Sequence, residues 1–306
     1  AVNDHIAGEY APDAYRLLMF NSTQLPECRS VPALVEIGVD DDKGPTVLGL
    51  YALLFLKEQQ IPLNYTYRLM MGCSEETGMA DVKVILEKEK VPTFMFTPDA
   101  GFPVINGEKG IMIAEGKFAH DGAHIVSFGG GTVSNIVNDM CTAVLKGIKK
   151  EDLGEYCPCR FDVVDCECGC GIKVTAKGVA SHAAAPDNGV NAIYHLADLL
   201  SKVEALSAAE KECMAKIAAT LADYNGVGLG IDCEDEPSGK ITHVSGIASQ
   251  EDNVITLDYN IRYPVLAKGC ELKERLEKHA AEHGFEGKVI SDSAPSYRAA
   301  DTAEVK

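Results

Sequence analysis

Residues 65–100 read YTYRLMMGCSEETGMADVKVILEKEKVPTFMFTPDA, and this stretch decides the fold that the sequence predicts. An apolar, strand-like segment is followed by the acidic turn GCSEETG, an amphipathic helical segment and a second apolar segment that ends at Asp99. A further acidic run, residues 40–42, stands shortly before it. Strands that alternate with helices predict parallel βαβ units, whose carboxyl ends form a ligand-binding crevice. The sequence therefore predicts three carboxylate clusters at one edge of a sheet.

Carboxylates gathered in such a crevice repel one another and lose hydration unless a cation lies among them. A pair of divalent metal ions is the simplest compensation. The alternative is that each acidic group solvates a loop or caps a helix, because Asp and Ser are favoured at helix starts. For any one cluster, a role in solvating a loop or capping a helix is preferred. Three clusters at successive strand ends favour a metal site.

Composition narrows the class of protein. The chain has 306 residues, 46% of them hydrophobic, which is enough for a large core and predicts about two domains. The net charge of −18 argues against nucleic acid as a partner. The longest apolar run, residues 47–56, is too short to span a bilayer, and the polar start does not resemble a signal peptide. We therefore expect no membrane association and a cytoplasmic location.

Eleven cysteines are present, and five of them fall within residues 157–170, in the runs CPC and CECGC. Residues two apart share a face of a strand, so these side chains could form a thiolate patch for a soft metal. Structural zinc sites usually have two to four residues between paired cysteines, which is not the spacing here. Reduced thiols are the favoured interpretation, and the odd total agrees with it.

After residue 110 the pattern changes to strands mixed with long helices, which predicts an α+β domain with an antiparallel sheet covered by helices on one face. The predicted strands are residues 111–118, 124–128, 140–145, 171–176, 241–244 and 253–263. The predicted helices are residues 47–56, 79–90, 191–206, 208–223 and 272–283.

Five runs occur in an order that resembles a known family. They are VDDDKGPT (39–46), GCSEETG (72–78), FTPDAGFPVINGEKG (96–110), SHAAAPDNGVNA (181–192) and NIRYP (260–264). Their order is similar to that in the di-zinc amidohydrolases and peptidases, which include aminoacylase, acetylornithine deacetylase, succinyl-diaminopimelate desuccinylase and carnosinase. The resemblance covers residues 38–300 and is greatest to the bacterial Xaa-His dipeptidase branch.

The resemblance implies an α/β catalytic domain with a mixed, largely parallel sheet, and an α+β lid domain inserted into it. We expect the first half of the catalytic domain at residues 1–108, the lid at 109–294 and the start of the return to the catalytic domain at 295–306. A lid of that length can hold two lid halves in one chain, which predicts a monomer.

The resemblance also carries over to single positions. In the family these positions bind the metals, act on the scissile bond or hold the substrate. Asp41 resembles the carboxylate that bridges both metals, Glu76 and Asp99 the terminal ligands, Glu75 the general base, His182 the residue that polarises the scissile carbonyl, and Asn135 and Arg262 the residues that hold the substrate carboxylate.

The chemistry of these residue types agrees with those roles. Two zinc ions about 3.5–4 Å apart can share a hydroxide and lower the pKa of the water towards neutrality. Glu75 would take the proton of that water and deliver it to the leaving amine. His182 would donate to the developing oxyanion, and the planar guanidinium of Arg262 suits a free carboxylate. Taken singly, these residues could also be a solvated loop glutamate, a neighbour of a helix cap and a surface arginine.

Two parts of the family pattern have no counterpart here: an early His-x-Asp motif and a final metal histidine. Three explanations compete. Either the sequence is part of a longer chain, or the protein has lost hydrolysis, or other histidines substitute. His120 and His124 fall in the predicted lid, which makes substitution the weakest explanation. We expect a partial sequence, because every matched position keeps the required chemistry.

The sequence thus predicts a zinc dipeptidase with two zinc ions per active site, acting on short peptides with a free C-terminal carboxylate. An N-acyl amino acid deacylase of the same mechanism is the first alternative. A catalytically inactive relative that binds peptides is the second.

Overall fold

A computed structural model describes residues 43–64, 66–72, 80–93, 95, 97, 105–167 and 169–302. The chain divides into two compact units, Ala1–Pro103 and Val104–Lys306.

The described part of the first unit contains helix α1, Gly44–Glu58, and helix α2, Ala80–Lys88. Pro45 lies in the first turn of α1, where its missing N–H leaves no hydrogen bond unmade. Both helices were predicted from the sequence and are confirmed. Residues 66–71 and 92–93, which belong to the segments predicted as strands, pair with no other strand among the described residues. The largely parallel sheet of this unit therefore stays a prediction.

The second unit is built on antiparallel strands. In chain order they are β1 Gly107–Glu108, β2 Gly110–Ala119, β3 Ile125–Gly129, β4 Met140–Lys146, β5 Phe161–Asp165, β6 Gly171–Lys177, β7 Glu234–Asp235, β8 Gly239–Lys240, β9 Thr242–Val244, β10 Ala248–Glu251, β11 Val254–Tyr263, β12 Glu286–Ser293 and β13 Ser296–Tyr297. The helices are α3 Ala192–Ser201, α4 Ala208–Thr220 and α5 Gly269–Glu282.

The larger sheet has the order β10-β11-β2-β12, with β9 also paired to β11. Its central pair, β2 and β11, is in register along ten residues, from Val254 opposite Ala119 to Tyr263 opposite Gly110. The second sheet has the order β3-β4-β6-β5. A single bridge between Gly130 and Ala248 joins its β3 side to β10.

Burial alternates along the strands, as expected when one face of a sheet is covered. On β2, Met112, Ala114 and Phe118 are buried and alternate with more exposed residues. Helix α3 packs on β4 and β6, α4 packs on α3 and β2, and α5 packs on β12 and β2. Most of the buried apolar side chains of the two sheets and of these helices form one hydrophobic cluster.

The strands and helices predicted after residue 110 are all found, with ends shifted by a few residues. Strands β5, β10 and β12 were not predicted, nor were the two-residue strands β1, β7, β8 and β13. β12 alternates only weakly and is largely exposed, because it lies at the edge of its sheet. The α/β class is confirmed, and the predicted domain boundaries stay predictions. Among the described residues, no helix combines the length and the apolar character needed to cross a bilayer.

We predict that Asn191→Ala destabilises the second unit. The Asn191 side chain caps α3 by accepting from the backbone N–H of Ile193 and Tyr194, and it donates to the carbonyl of Ser245. Losing a buried cap and stranding a carbonyl should lower the free energy of unfolding by about 2 kcal/mol. Urea denaturation measures this change. Ser201→Ala, at the other end of α3, is the control and should change little; equal stabilities of the two variants would contradict the role of the cap.

Candidate active site

Four predicted site residues, Asp41, Glu75, Glu76 and Asp99, lie outside the described residues. Their roles stay predictions. The other three, Asn135, His182 and Arg262, lie in the second unit.

His182 and Asn135 lie on neighbouring backbone segments. An antiparallel bridge pairs His182 with Ile136, and the N–H of Ala183 donates to the carbonyl of Asn135 over 2.9 Å. The segment after β3 and the segment after β6 therefore come together at this point, although about 45 residues separate them in the sequence.

Thr242 connects this pair of segments to Arg262. Its hydroxyl donates to the carbonyl of Ala183 over 3.0 Å, and Thr242 is the ladder partner of Arg262 where β9 pairs with β11. The predicted catalytic residue His182 and the predicted substrate-binding residues Asn135 and Arg262 are thus joined through Ala183 and Thr242. Nothing in the sequence pattern had singled out Thr242, because its role depends on the register between β9 and β11.

A small apolar cluster supports these segments. Val137, Ala183 and Val244 are fully or almost fully buried and pack together, with Tyr224 against them. Ala183 follows His182 directly, so its burial fixes the backbone while the His182 side chain stays exposed. The imidazole is therefore held at the surface of the unit by a buried neighbour.

The hydrogen bonding of His182 decides which ring nitrogen can donate. Nδ1 accepts from the backbone N–H of Ala184 over 3.2 Å. In the neutral ring the proton is then on Nε2, because one nitrogen accepts and the other donates. His182 thus presents an N–H donor to solvent.

The guanidinium of Arg262 is oriented by its own strand. Its Nε donates over 3.0 Å to Oδ1 of Asn260, which is buried. Residues two apart on a strand share a face, so the two side chains meet without help from another element. Burial lowers the pKa of Arg262, yet a guanidinium remains charged at any physiological pH. Within the described part of the chain, no further hydrogen bond engages its Nη atoms, which leaves them free for a bidentate contact with a carboxylate.

A separate group of residues in the second unit has the composition of a metal site. His120, Asp121 and Glu210 each offer one ligand atom, and these atoms lie within 4.8 Å of one another. His120 Nδ1 accepts from the N–H of Gly122, and its buried Nε2 has no hydrogen-bond partner among the described residues. None of the carboxylates predicted as zinc ligands belongs to this group.

The bonding of Glu210 gives it a structural role. Its Oε1 accepts from the backbone N–H of His124 and Ile125, at 2.5 and 2.7 Å. Its Oε2 accepts from the backbone N–H of Ser207 at 3.1 Å and lies 2.9 Å from Nδ1 of His124. Burial raises the pKa of Glu210, but the hydrogen bonds from Ile125 and His124 outweigh it and hold the pKa below the usual range. Four protein donors occupy the positions that a metal would need.

The cysteines differ from the expectation of reduced thiols. Cys157 and Cys159 form a disulfide, and Cys170 is also disulfide-bonded. The described cysteines of the two runs do not form one thiolate patch either, because β5 lies between them and places Cys157 and Cys159 at the opposite end of the β5–β6 hairpin from Cys166 and Cys170. Spacing along the sequence could not reveal this separation. The described cysteines that are free are Cys141, Cys166, Cys213, Cys233 and Cys270.

Comparison with known proteins gives a consistent result. Residues 169–288 match the family model described as a peptidase dimerisation domain of the M20 group. The protein named "Putative dipeptidase YtjP" of Bacillus subtilis is 34% identical over 281 residues, which is 88% of this chain and 60% of that protein. "Putative dipeptidase MW1694" of Staphylococcus aureus is 27% identical over 285 residues, again with 60% of its length covered. The chain thus spans about 60% of the length of these relatives.

A solved structure, the aminoacylhistidine dipeptidase of Vibrio alginolyticus, is similar over 65% of this chain and 46% of its own, with 15% identity and a TM-score of 0.28. At that score the similarity supports no conclusion about this chain.

These matches support membership of the M20 peptidase family. Within the family, its named relatives are the dipeptidases reported above. The resemblance inferred from the five sequence runs is confirmed. The matched domain is described as a dimerisation domain. This description is contrary to the monomer that the sequence analysis predicted.

We predict that Glu210→Gln lowers the free energy of unfolding by about 2–3 kcal/mol at neutral pH. The side-chain NH₂ of glutamine cannot accept a hydrogen bond, so backbone N–H groups that donate to the Glu210 carboxylate would lose their acceptor. The lowered pKa of Glu210 means that its contribution is present above the carboxyl's unfolded pKa and is lost as the pH falls through the folded pKa. The difference between the two proteins should therefore shrink in acid.

Urea denaturation over a pH series measures this difference. Glu212→Gln, an exposed position on the same helix, is the matched control. A difference that grows in acid, or equal effects of the two substitutions, would contradict the structural role of Glu210.

Proposed function

We propose that the protein is a zinc-dependent dipeptidase that hydrolyses the peptide bond of short peptides with a free C-terminal carboxylate. The observation that carries the proposal is the connection of His182, Asn135 and Arg262 through Ala183 and Thr242. This connection joins the N–H donor of His182 and a guanidinium with unused donors. Such a pair suits a substrate with a polarisable carbonyl and a carboxylate.

The proposed metal ligands fit zinc by their chemistry. Asp41, Glu76 and Asp99 would supply carboxylate oxygens, which zinc accepts beside nitrogen and sulfur donors. When bound, a zinc pair supplies a water whose pKa is lowered towards neutrality. The group of His120, Asp121 and Glu210 is a poorer candidate, because Glu210 is already saturated by protein donors.

The other steps belong to side chains of this chain. Arg262, held by Asn260, would bind the substrate carboxylate through its Nη atoms. Asn135 would also hold that carboxylate. His182 would donate from Nε2 to the oxygen of the scissile carbonyl as negative charge develops there. Glu75 would take a proton from the attacking water and pass it to the leaving amine.

Two alternatives remain in the proposal. A deacylase of N-acyl amino acids would use the same residues, and activity on acetylated or succinylated amino acids but not on dipeptides would establish it. An inactive peptide-binding relative would bind dipeptides without cleaving them. The cytoplasmic location stays a prediction.

We predict that the natural full-length protein binds about two zinc ions per chain and loses dipeptide hydrolysis when a chelator removes them. Glu75→Gln should lower kcat by about 10²–10⁴-fold with the metal content unchanged, because it removes a proton acceptor and not a ligand. Glu76→Gln is the matched variant and should lower the metal content.

Elemental analysis and steady-state kinetics separate these outcomes. Full activity of Glu75→Gln would overturn the assignment of the general base, and a metal-free, inactive natural protein would favour the binding relative.

We predict that Arg262→Met abolishes the preference for a free carboxylate. For the natural protein, a dipeptide amide should have a kcat/KM about 10–100-fold below that of the free dipeptide, from the loss of one charged hydrogen-bonded contact. For Arg262→Met the two substrates should be equal. Lys117→Met, an exposed change on the same sheet, should keep the preference; a preference that survives in Arg262→Met would place the carboxylate elsewhere.

A further inference from the structure

The turn before β5 carries an exposed disulfide that the proposed hydrolysis does not use. Cys157 and Cys159 are bonded to each other on either side of Pro158, and all three residues are exposed. The flanking aromatic residues hold the turn to the body of the unit: Phe161 is buried, and Tyr156 packs edge-to-face on it with ring centres 6.3 Å apart. The turn lies outside the residues that match the family model.

The fold does not depend on this disulfide. A disulfide that closes a short loop restricts the unfolded chain only slightly. This disulfide joins residues that are two apart. The backbone already holds the turn, because the N–H groups of Arg160 and Phe161 donate to the carbonyl of Cys157 and the N–H of Lys177 donates to the carbonyl of Arg160. Opening the S–S bond breaks none of these hydrogen bonds.

The two cysteines that are buried in the core are poor candidates for thiol–disulfide exchange. Cys141 and Cys213 are buried, and burial raises the pKa of each thiol to about 12. Thiolates are the reactive form, so these two thiols are inert at neutral pH. Cys157 and Cys159 are open to small reagents. In a reducing compartment, an exposed disulfide of this kind is usually transient and takes part in exchange.

The cysteines at the far end of the hairpin do not take part in this pair. Cys166 lies beyond the last residue of β5, and the five residues of that strand span about 16 Å. The N–H of Cys166 donates to the carbonyl of Gly171, which holds it at the β5–β6 turn. Cys157 and Cys159 therefore form a disulfide with each other before the thiol of Cys166 can reach either of them.

We propose that Cys157 and Cys159 form a reversible dithiol–disulfide pair that exchanges with low-molecular-weight thiols in solution. In reduction, the thiolate of a small thiol attacks one Sγ, and the S–S bond breaks to give a mixed disulfide and a protein thiolate that takes a proton. A second small thiolate attacks the small thiol's sulfur in the mixed disulfide and releases the other protein thiolate. Two small thiols become one small disulfide, and the protein disulfide becomes two thiols.

In oxidation the same steps run in reverse with a small disulfide as the oxidant. The mixed disulfide on one cysteine is then attacked by the second thiol, two residues away. That attack is intramolecular and fast, because the nucleophile is held at a high effective concentration. The natural protein should therefore pass through the mixed disulfide without accumulating it, whereas a variant with one of the two cysteines should stop there.

The test equilibrates the natural full-length protein in buffers with increasing ratios of reduced to oxidised glutathione, followed by acid trapping, alkylation and peptide mass spectrometry. Along the series we expect the loss of one disulfide and the gain of two thiols, at Cys157 and Cys159 together, and the same curve when approached from either side. Cys159→Ser treated with oxidised glutathione should carry one glutathione on Cys157, and the natural protein should carry none there.

Cys166→Ser is the matched control and should leave the curve of the Cys157–Cys159 pair unchanged. A pair that stays fully oxidised or fully reduced across the series would overturn the proposal. So would a persistent glutathione adduct on Cys157 of the natural protein, a disulfide from Cys157 to Cys166, or reduced cysteines that retain zinc and resist alkylation. None of these readouts depends on hydrolysis, so the result is independent of the proposed dipeptidase activity.

Discussion

The ten-residue antiparallel ladder between β2 and β11 is the interaction on which the described structure of the second unit depends. β11 also carries β9 and β10, and β2 also carries β12, so the whole larger sheet is assembled on this pair. Close packing fixes its register at one end. A Cβ on Gly110 would overlap the ring of Tyr263, its ladder partner, and the hydroxyl of that tyrosine donates to Asp292 of β12. Tyr263 thus connects three strands, β2, β11 and β12.

The candidate site follows from that register. Asn260 and Arg262 share a face because they are two apart on β11. Thr242 is brought opposite Arg262 by the pairing of β9 with β11, and its hydroxyl then reaches the segment that holds His182. Slipping the register by one residue would turn Arg262 to the other face of the sheet and break this connection. Strand pairing therefore determines the geometry of the predicted substrate-binding residues as much as their own side chains do.

Glu210 shows why a group of acidic and imidazole side chains is not by itself a metal site. It lies near His120 and Asp121, as a ligand would, but its two oxygens accept from three backbone N–H groups and contact the ring of His124. A buried carboxylate is stable when donors satisfy it, and here the protein provides them. The number of protein donors distinguishes a structural carboxylate from one that is free to bind a metal.

The helices, six strands of the second unit and the family could be predicted from the sequence alone, because hydrophobic periodicity and ordered motifs are local properties of a chain. The sequence also singled out His182, Asn135 and Arg262. Three features became visible only in the three-dimensional structure: Thr242 and Ala183 connect these residues, β12 completes the sheet at its edge, and Cys157 and Cys159 lie at the opposite end of a hairpin from Cys166. These features depend on contacts between residues distant in sequence, and no local pattern records which strand pairs with which, or in what register.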